Sequence, residues 1–348
     1  MKEVKPKITP DQLLQSRRYD PNRELQPEQI LFRIDNENIG SIQNIVTITG
    51  LPKQGKSRYM GALLGSALTN ETIFSMQLKT APGRNRIAFF DTEQGDYDFY
   101  RQMDFVKHIC KTTTLPGNLD AFNTREDYPQ EQLLMIDRYL ELNPDCSILF
   151  LDGILDLLLS FNDEKESKML MQLLKKWTKV NNLLLINVLH RRKDGTATLG
   201  HIGSAADRVS QSVLVVEKNK ERKTFILKPE YLRSADEFNP LEIMYNRHLG
   251  EWQQTWYVPD EEDKKLIRLK KPKPQELDIH DHTINVGRIF QAHGSQTYKD
   301  LVQNISEIYA AGTNWAKECI PFLLQSGLIF KTATGYTRER QAKLYIQE

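Results

Sequence analysis

The densest chemistry in the sequence lies in one run of eight residues, Gly50-Leu51-Pro52-Lys53-Gln54-Gly55-Lys56-Ser57. It fits GxxxxGK(S/T), where the two glycines let the backbone wrap an oxyanion with its amide N–H groups pointing inward. In that pattern Lys56 reaches the β- and γ-phosphates of a nucleotide, Ser57 holds Mg²⁺, and Arg58 closes the binding stretch. Chance alone produces the pattern in roughly one chain in a hundred of this length. Its surroundings strengthen it: a β-rich run, NIVTIT (44–49), precedes it and a helix from Ser57 to Leu68 follows. The N-terminus of that helix adds a partial positive charge. The bland alternative is a glycine-rich turn between a strand and a helix.

A nucleotide with Mg²⁺ calls for a second carboxylate, and SILFLD (147–152) ends in Asp152, where an acid steadies the metal through water. Gly153 follows, not a second acid, so a general base for water must come from elsewhere. RIAFFDTEQ (86–94) supplies Asp91 and Glu93 at the end of another apolar strand. Parallel strands gather such ends on one edge, beside the phosphate loop. Glu93 is the favoured base and Asp91 the alternative; solvated loop acids are the plain reading of both. LLLINVLH (183–190) ends in His190, which can contact a γ-phosphate and report its loss, or be a satisfied histidine.

These residues need a scaffold that brings strand ends together. At 348 residues the chain predicts about two domains, and 39% hydrophobic with 27% charged residues is an ordinary globular balance. A net charge of +1 confines any nucleic-acid surface to a local patch. Cys110, Cys146 and Cys319 show no CxxC spacing, which suits a reducing compartment and gives no zinc signature. The N-terminus lacks the apolar core of a signal peptide, and the apolar stretch 146–161 is too short for a bilayer and interrupted by Asp152 and Asp156. A soluble, cytoplasmic protein without membrane partners is expected.

Residues 1–40 read as an N-terminal arm ending in an edge strand, ILFRI (30–34). Residues 41–257 alternate apolar strands with amphipathic helices, including helices around Tyr97–Cys110 and Lys165–Val180, and so predict an α/β domain with a mostly parallel sheet. SVLVVEK (212–218) and KTFILKP (223–229) predict an antiparallel hairpin extending that sheet. Residues 258–276 read as a basic linker with Lys264, Lys265, Arg268, Lys270, Lys271 and Lys273. Residues 277–348 predict three helices and a short hairpin.

The order of motifs GLPKQGKS (50–57), DTE (91–93), FLDG (150–153) and VLHRRK (188–193) resembles the RecA-like P-loop ATPases, and among them the RepA-like and DnaB-like ring helicases. The resemblance covers residues 40–255. It implies ATP and Mg²⁺ as ligands, a homo-oligomer with a hexamer expected, and single-stranded DNA in a central channel. It also implies a mobile channel-lining loop at 191–209, with Arg191, Arg192 and Lys193 as DNA contacts, and a trans-acting finger at Lys228 or Arg233. The KPEYLR (228–233) spacing departs from the tighter Lys-x-Arg of DnaB-like proteins, and Arg222 and Lys223 compete for the role.

Residues 297–338 resemble winged helix-turn-helix domains, with a turn at Gly312 and a second helix capped by Thr313. The resemblance implies Asn314 and Lys317 at a DNA groove and Lys331 and Arg338 on phosphates, with protein docking as the other use. Pro321 inside that helix is expected to kink or split it. The combined expectation is a Mg²⁺-dependent ATP-hydrolysing protein acting on DNA, a RepA-like ring helicase of a mobile element or plasmid, with replication or mobilisation proteins as further partners. The alternative is a nucleotide-switched DNA-binding regulator or loader with slow turnover.

Overall fold

The computed structural model describes residues 9–22, 24, 27–160, 162–192, 198–255, 257, 273–290, 294–309 and 311–338. The chain divides into two compact units, Met1–Tyr257 and Val258–Glu348. The first is an α/β fold built on a nine-stranded, mostly parallel sheet. Its parallel part is formed by β3 (Ile45–Gly50), β5 (Arg86–Asp91), β6 (Leu119–Asn123), β7 (Cys146–Asp152), β8 (Leu184–His190) and β9 (Ser212–Asn219). Across the sheet these run in the order β6-β5-β7-β8-β3-β9. Antiparallel strands β10 (Thr224–Leu232), β11 (Leu241–Asn246) and β12 (Glu251–Thr255) continue it beyond β9.

The inner strands read as continuous apolar runs because both sheet faces are covered. On β7, Ile148 and Phe150 join one core while Leu149 and Leu151 join the other. The same alternation holds for Ile87 and Phe89 against Ala88 and Phe90 on β5. Successive strand side chains point to opposite faces, so such a run serves two cores at once. Each fully buried Phe or Leu contributes about 1.5–3 kcal/mol relative to exposure. One face is covered by α2 (Lys56–Thr69) and α3 (Asp96–Ile109), the other by α4 (Pro129–Leu142), α5 (Glu164–Val180) and α6 (Gly200–Val209).

Four departures from expectation bear on the site. Residues 30–41 are no arm: β1 (Ile30–Ile34) is the middle strand of a small antiparallel sheet between β2 (Glu37–Ser41) and β4 (Met76–Leu78). Phe32, Ile34 and Ile39 are buried in the first core there, so these apolar side chains tie the segment to the body of the unit. Upstream, α1 (Pro10–Arg17) is a capped helix with no buried residue. The segment 191–209 is not loop throughout, because Ile202, Ala205 and Ala206 give α6 a buried face. A Cβ on Gly203 of α6 would collide with Thr198, so the helix rests directly on the end of that loop. Finally, β10 runs past Pro229 through a register shift, placing Lys228 within the strand and Arg233 just beyond it.

Among the described residues of the second unit, the helices α7 (Ile279–Ile289), α8 (Tyr298–Ile308) and α9 (Thr313–Gln325) surround a core that includes Val286, Leu301, Ile305, Ile320 and Leu323. Short strands β13 (Ser295–Gln296), β14 (Phe330–Lys331) and β15 (Tyr336–Thr337) form an antiparallel sheet in the order β13-β15-β14. The N-cap of α9 is Gly312, with Thr313 as its first helical residue, and the helix continues through Pro321. His282 is buried, its ring bonded to the Tyr309 hydroxyl at 2.8 Å and the Pro274 carbonyl at 2.9 Å. That pair of bonds ties Pro274 to α7 and to the end of α8. Among the described residues, no helix is long and apolar enough to cross a membrane.

Candidate functional site

The carboxyl ends of the parallel strands collect the sequence-predicted residues on one edge. Strand register sets Gly50 opposite His190 across β3 and β8, and Asp91 opposite Asp152 across β5 and β7. Leu51–Gly55 then turn from β3 into α2. Lys53 at φ 63° and Gly55 at φ 94° put two left-handed residues on either side of Gln54. Alternating backbone hands of this kind turn successive N–H groups toward one point, a concavity suited to anions. Glycine is required at both ends. A Cβ on Gly55 would strike the Phe225 ring, and one on Gly50 would lie 2.5 Å from the Val216 carbonyl oxygen. Gln54 Oε1 is buried in the loop with no hydrogen-bond partner.

Lys56, only 6% exposed, opens α2 and turns its ammonium back into the loop. Nζ donates to the carbonyls of Gly50 (3.2 Å) and Leu51 (3.1 Å) and approaches His190 Nδ1 at 3.1 Å. The opposite ring nitrogen, Nε2, sits 3.1 Å from Glu93. One neutral tautomer satisfies both contacts: Nδ1 accepts from Lys56 and Nε2–H donates to Glu93. The result is a Lys56–His190–Glu93 chain along the strand ends. Burial lowers the Lys56 pKa, against the pull of Glu93 and Asp152. Burial by itself would raise Glu93, yet the hydrogen bond with His190 and the nearby Lys56 hold its carboxyl below the ordinary glutamate value.

The carboxylates divide their work by their partners. Asp91, fully buried, accepts from the backbone N–H groups of Glu93 (3.0 Å) and Gln94 (2.9 Å) and from the Gln94 side chain (2.7 Å). Its oxygens are thereby spent inside the turn that presents Glu93. Burial raises the Asp91 pKa in spite of these bonds. Asp152 is pushed well above the usual aspartate range by burial, then by Asp91 and Glu93, with Lys56 opposing. A buried acid among like charges is relieved by a cation. Ser57 and Asp152 offer hard oxygen donors, the kind that Mg²⁺ accepts while keeping waters and substrate phosphates as its other ligands. Among the described residues, no group of three His, Cys, Asp or Glu side chains converges to hold a metal by protein donors alone. The residues present therefore fit an ion that arrives with a nucleotide.

Gly153 explains why no second acid follows Asp152. Its φ is 103°, and a Cβ there would collide with Thr92 and lie 2.5 Å from Glu93 Cγ. Glu93 occupies the space that a side chain at 153 would need. No role was assigned to Thr92 from the sequence, although its hydroxyl donates to the Gly153 carbonyl at 2.7 Å and bonds Asp156 at 3.1 Å, tying the end of β5 to the chain after β7 beside Glu93. Gln94, whose amide lies 2.7 Å from Asp91 and 3.5 Å from Asp152, was missed too. Thr92 is the middle residue of the DTE motif and Gln94 directly follows it, so position in that motif was the signal for both. Arg58 lies over the rings of Phe105 (4.9 Å) and Trp252 (5.4 Å), which restricts it to the wall of the cleft. That cleft, about 230 Å³, is lined by Lys53, Gly55, Ser57, Arg58, Arg101 and Phe225 among others.

The remaining candidates do not join this centre. Arg191 has a side chain 9% exposed and forms a bidentate pair with Glu230, both bonds 2.8 Å. Its guanidinium is thus paired within the fold, on the residue the sequence offered as a DNA contact. Arg192 is exposed, and Lys193 lies outside the described residues. Lys228 pairs with Glu217 at 2.9 Å, and Arg233 donates to the Arg208 carbonyl at 2.7 Å, in the last turn of α6. Arg222 is held by the buried Glu242 at 2.7 Å. In the second unit Asn314, Lys317, Lys331 and Arg338 are all exposed. Of the basic linker, Lys264, Lys265, Arg268, Lys270 and Lys271 lie outside the described residues. No protein-family model matches the chain, and the search of curated proteins found no match.

Proposed function

We propose that the first unit binds a nucleoside triphosphate with Mg²⁺ at Gly50–Ser57 and hydrolyses it, in a RecA-like P-loop arrangement. The observation that carries this reading is the convergence of Lys56, Glu93, Asp152 and His190 on one strand edge beside a left-handed loop opening a helix. Lys56 leaves the Gly50 and Leu51 carbonyls and transfers its hydrogen bonds to the terminal phosphates. Glu93, kept ionised by His190, takes the proton from the attacking water. Asp91 and Gly153 fix where Glu93 stands. Mg²⁺, held by Ser57 and through water by Asp152, would neutralise charge on the β- and γ-phosphates.

The chemistry serves DNA in this reading: a RepA-like ring helicase or translocase, hexameric, with a winged-helix second unit whose exposed Lys317, Lys331 and Arg338 touch DNA. One observation favours a second reading. Arg191 is locked to Glu230 and so is not free to track a strand, which suits a nucleotide-switched regulator or loader with slow turnover. Steady-state ATP hydrolysis with and without single-stranded DNA separates the two. Strong stimulation that disappears in Lys56→Ala supports the motor; slow turnover indifferent to DNA supports the switch. An unchanged rate in Lys56→Ala would overturn the hydrolytic centre itself.

A further inference from the structure

Lys53 stands in the middle of the phosphate loop at φ 63°, in the left-handed region that glycine enters at little cost. A lysine there crowds its Cβ against the following carbonyl, so the loop holds it at an energetic disadvantage. The fold draws no contact from it in return. The side chain is exposed, and among the described residues no hydrogen bond or ion pair engages its ammonium. Strained positions of this kind cluster at working sites, where function and not packing offsets the strain. What Lys53 does reach is the cleft of about 230 Å³, which it lines together with Gly55, Ser57 and Gln94.

The chemistry at that cleft calls for a cation that the other basic residues do not supply. Moving a phosphoryl group to water gathers charge on the terminal phosphates, and a positioned cation there speeds the reaction by several powers of ten. Arg58 is spread over the rings of Phe105 and Trp252, and Arg101 bonds Asp98 at 3.4 Å. The cations that the sequence offered as fingers for a neighbouring chain are tied within their own. Lys228 pairs with Glu217, Arg233 with the Arg208 carbonyl and Arg222 with Glu242. Lys53 starts from the loop that wraps the phosphates, three residues before Lys56, and carries its charge on a flexible four-carbon stem.

We propose that Lys53 is a catalytic residue that sets its ammonium on the terminal phosphates during hydrolysis, so that the charge-stabilising cation comes from the same chain and turnover needs no neighbour. This rests on the phosphate-loop reading. The attacking water forms the new P–O bond, Glu93 receives its proton, and the diphosphate leaves with the electron pair of the bond that breaks. Lys53 stays protonated throughout. Assembly then serves DNA and not the chemistry.

Three variants of the full chain separate charge from strain. Lys53→Met keeps the strain without the charge, Lys53→Gly removes both, and Lys53→Arg keeps both. Steady-state ATP hydrolysis with Mg²⁺ is followed over a wide range of protein concentration. Calorimetry compares ADP, a non-hydrolysable ATP analogue, and ADP with fluoroaluminate, which mimics the phosphoryl group in flight. The expected kcat falls about 10²–10³-fold in Lys53→Met and Lys53→Gly with little change in KM, while Lys53→Arg keeps most of the rate. The same two variants lose the extra affinity that fluoroaluminate confers and bind the ATP analogue almost as the natural chain does. Without ligand, Lys53→Gly unfolds at a higher urea concentration than Lys53→Met, because glycine meets φ 63° without strain. Turnover per chain is the same at every concentration.

Full turnover in Lys53→Met, or equal losses for the analogue and fluoroaluminate, would overturn the catalytic role. Turnover per chain that collapses on dilution would overturn supply of the cation from the same chain. Unfolding of Lys53→Gly before Lys53→Met would give the side chain a place in the fold and remove the strain argument. A natural chain that binds neither ADP nor the analogue would remove the phosphate-loop reading, and Lys53 with it.

Discussion

At the scale of single residues, the proposed chemistry turns on what holds Glu93. Its ionised form is favoured by His190, whose hydrogen bond outweighs the cost of burial together with Lys56. A base with a lowered pKa stays competent at lower pH, so the acid limb of kcat/KM is expected below the ordinary glutamate value of about 4.3. His190→Ala removes the main support, and the limb should move upward in a pH–rate profile; an unmoved limb would separate His190 from the base. Glu93→Gln should retain nucleotide binding and lose about 10²–10⁴-fold in turnover, the usual contribution of a positioned base. Gly153→Ala imposes a Cβ at φ 103° and against Glu93, so both stability and turnover should fall. Denaturant unfolding and steady-state hydrolysis measure the two losses, and an unchanged rate would show that Glu93 does not need the space that Gly153 leaves. The residues with strict stereochemical jobs were legible in the sequence, because Gly50 and Gly55 stand where a Cβ would meet the Val216 carbonyl and the Phe225 ring. Asp91 and Arg191 were harder to read. Residue type announces a charge, but not whether Gln94 or Glu230 will already have claimed it.

Elements were legible where apolar periodicity is long and continuous. The run Cys146–Asp152 could only be an inner strand, and its alternation between two cores shows why. ILFRI announces β1, but β2 and the three-residue β4 beside it carry too little pattern to be read alone; they exist because Phe32, Ile34, Met76 and Leu78 share a core made elsewhere. The helix α6 was hidden by small residues, since Gly200, Gly203 and Ala205 look like loop until Thr198 and the sheet pack against them. Between β8 and β10 the chain is fastened by Arg191 and Glu230, and this link is open to a direct test. Arg191→Ala leaves Glu230 half-buried without its cation and is expected to cost about 3 kcal/mol in denaturant unfolding. The double variant Arg191→Met with Glu230→Leu should recover most of that loss. If Arg191→Ala instead unfolds normally and abolishes stimulation by single-stranded DNA, the arginine is a DNA contact after all.

For the whole molecule, a net charge of +1 means that any attraction to DNA comes from arrangement, not from total charge. The second unit offers exposed Lys317, Lys331 and Arg338, against acids such as Glu318 on the same helix as Lys317. If these three cations meet phosphates, replacing all of them with Glu should weaken duplex binding and lower its salt slope by about three, close to one per lost contact. Turnover at the Gly50–Ser57 centre should then keep its response to single strands, because no residue of that centre is touched. Fluorescence anisotropy across a salt series, run beside the hydrolysis assay, measures both quantities in the same protein. An unchanged slope would assign the second unit to protein docking. A lost single-strand response would mean that the second unit, and not the segment after His190, carries the strand that drives hydrolysis. That last outcome would be compatible with the locked Arg191, and it would shift the proposed motor from a central channel to a DNA-controlled switch.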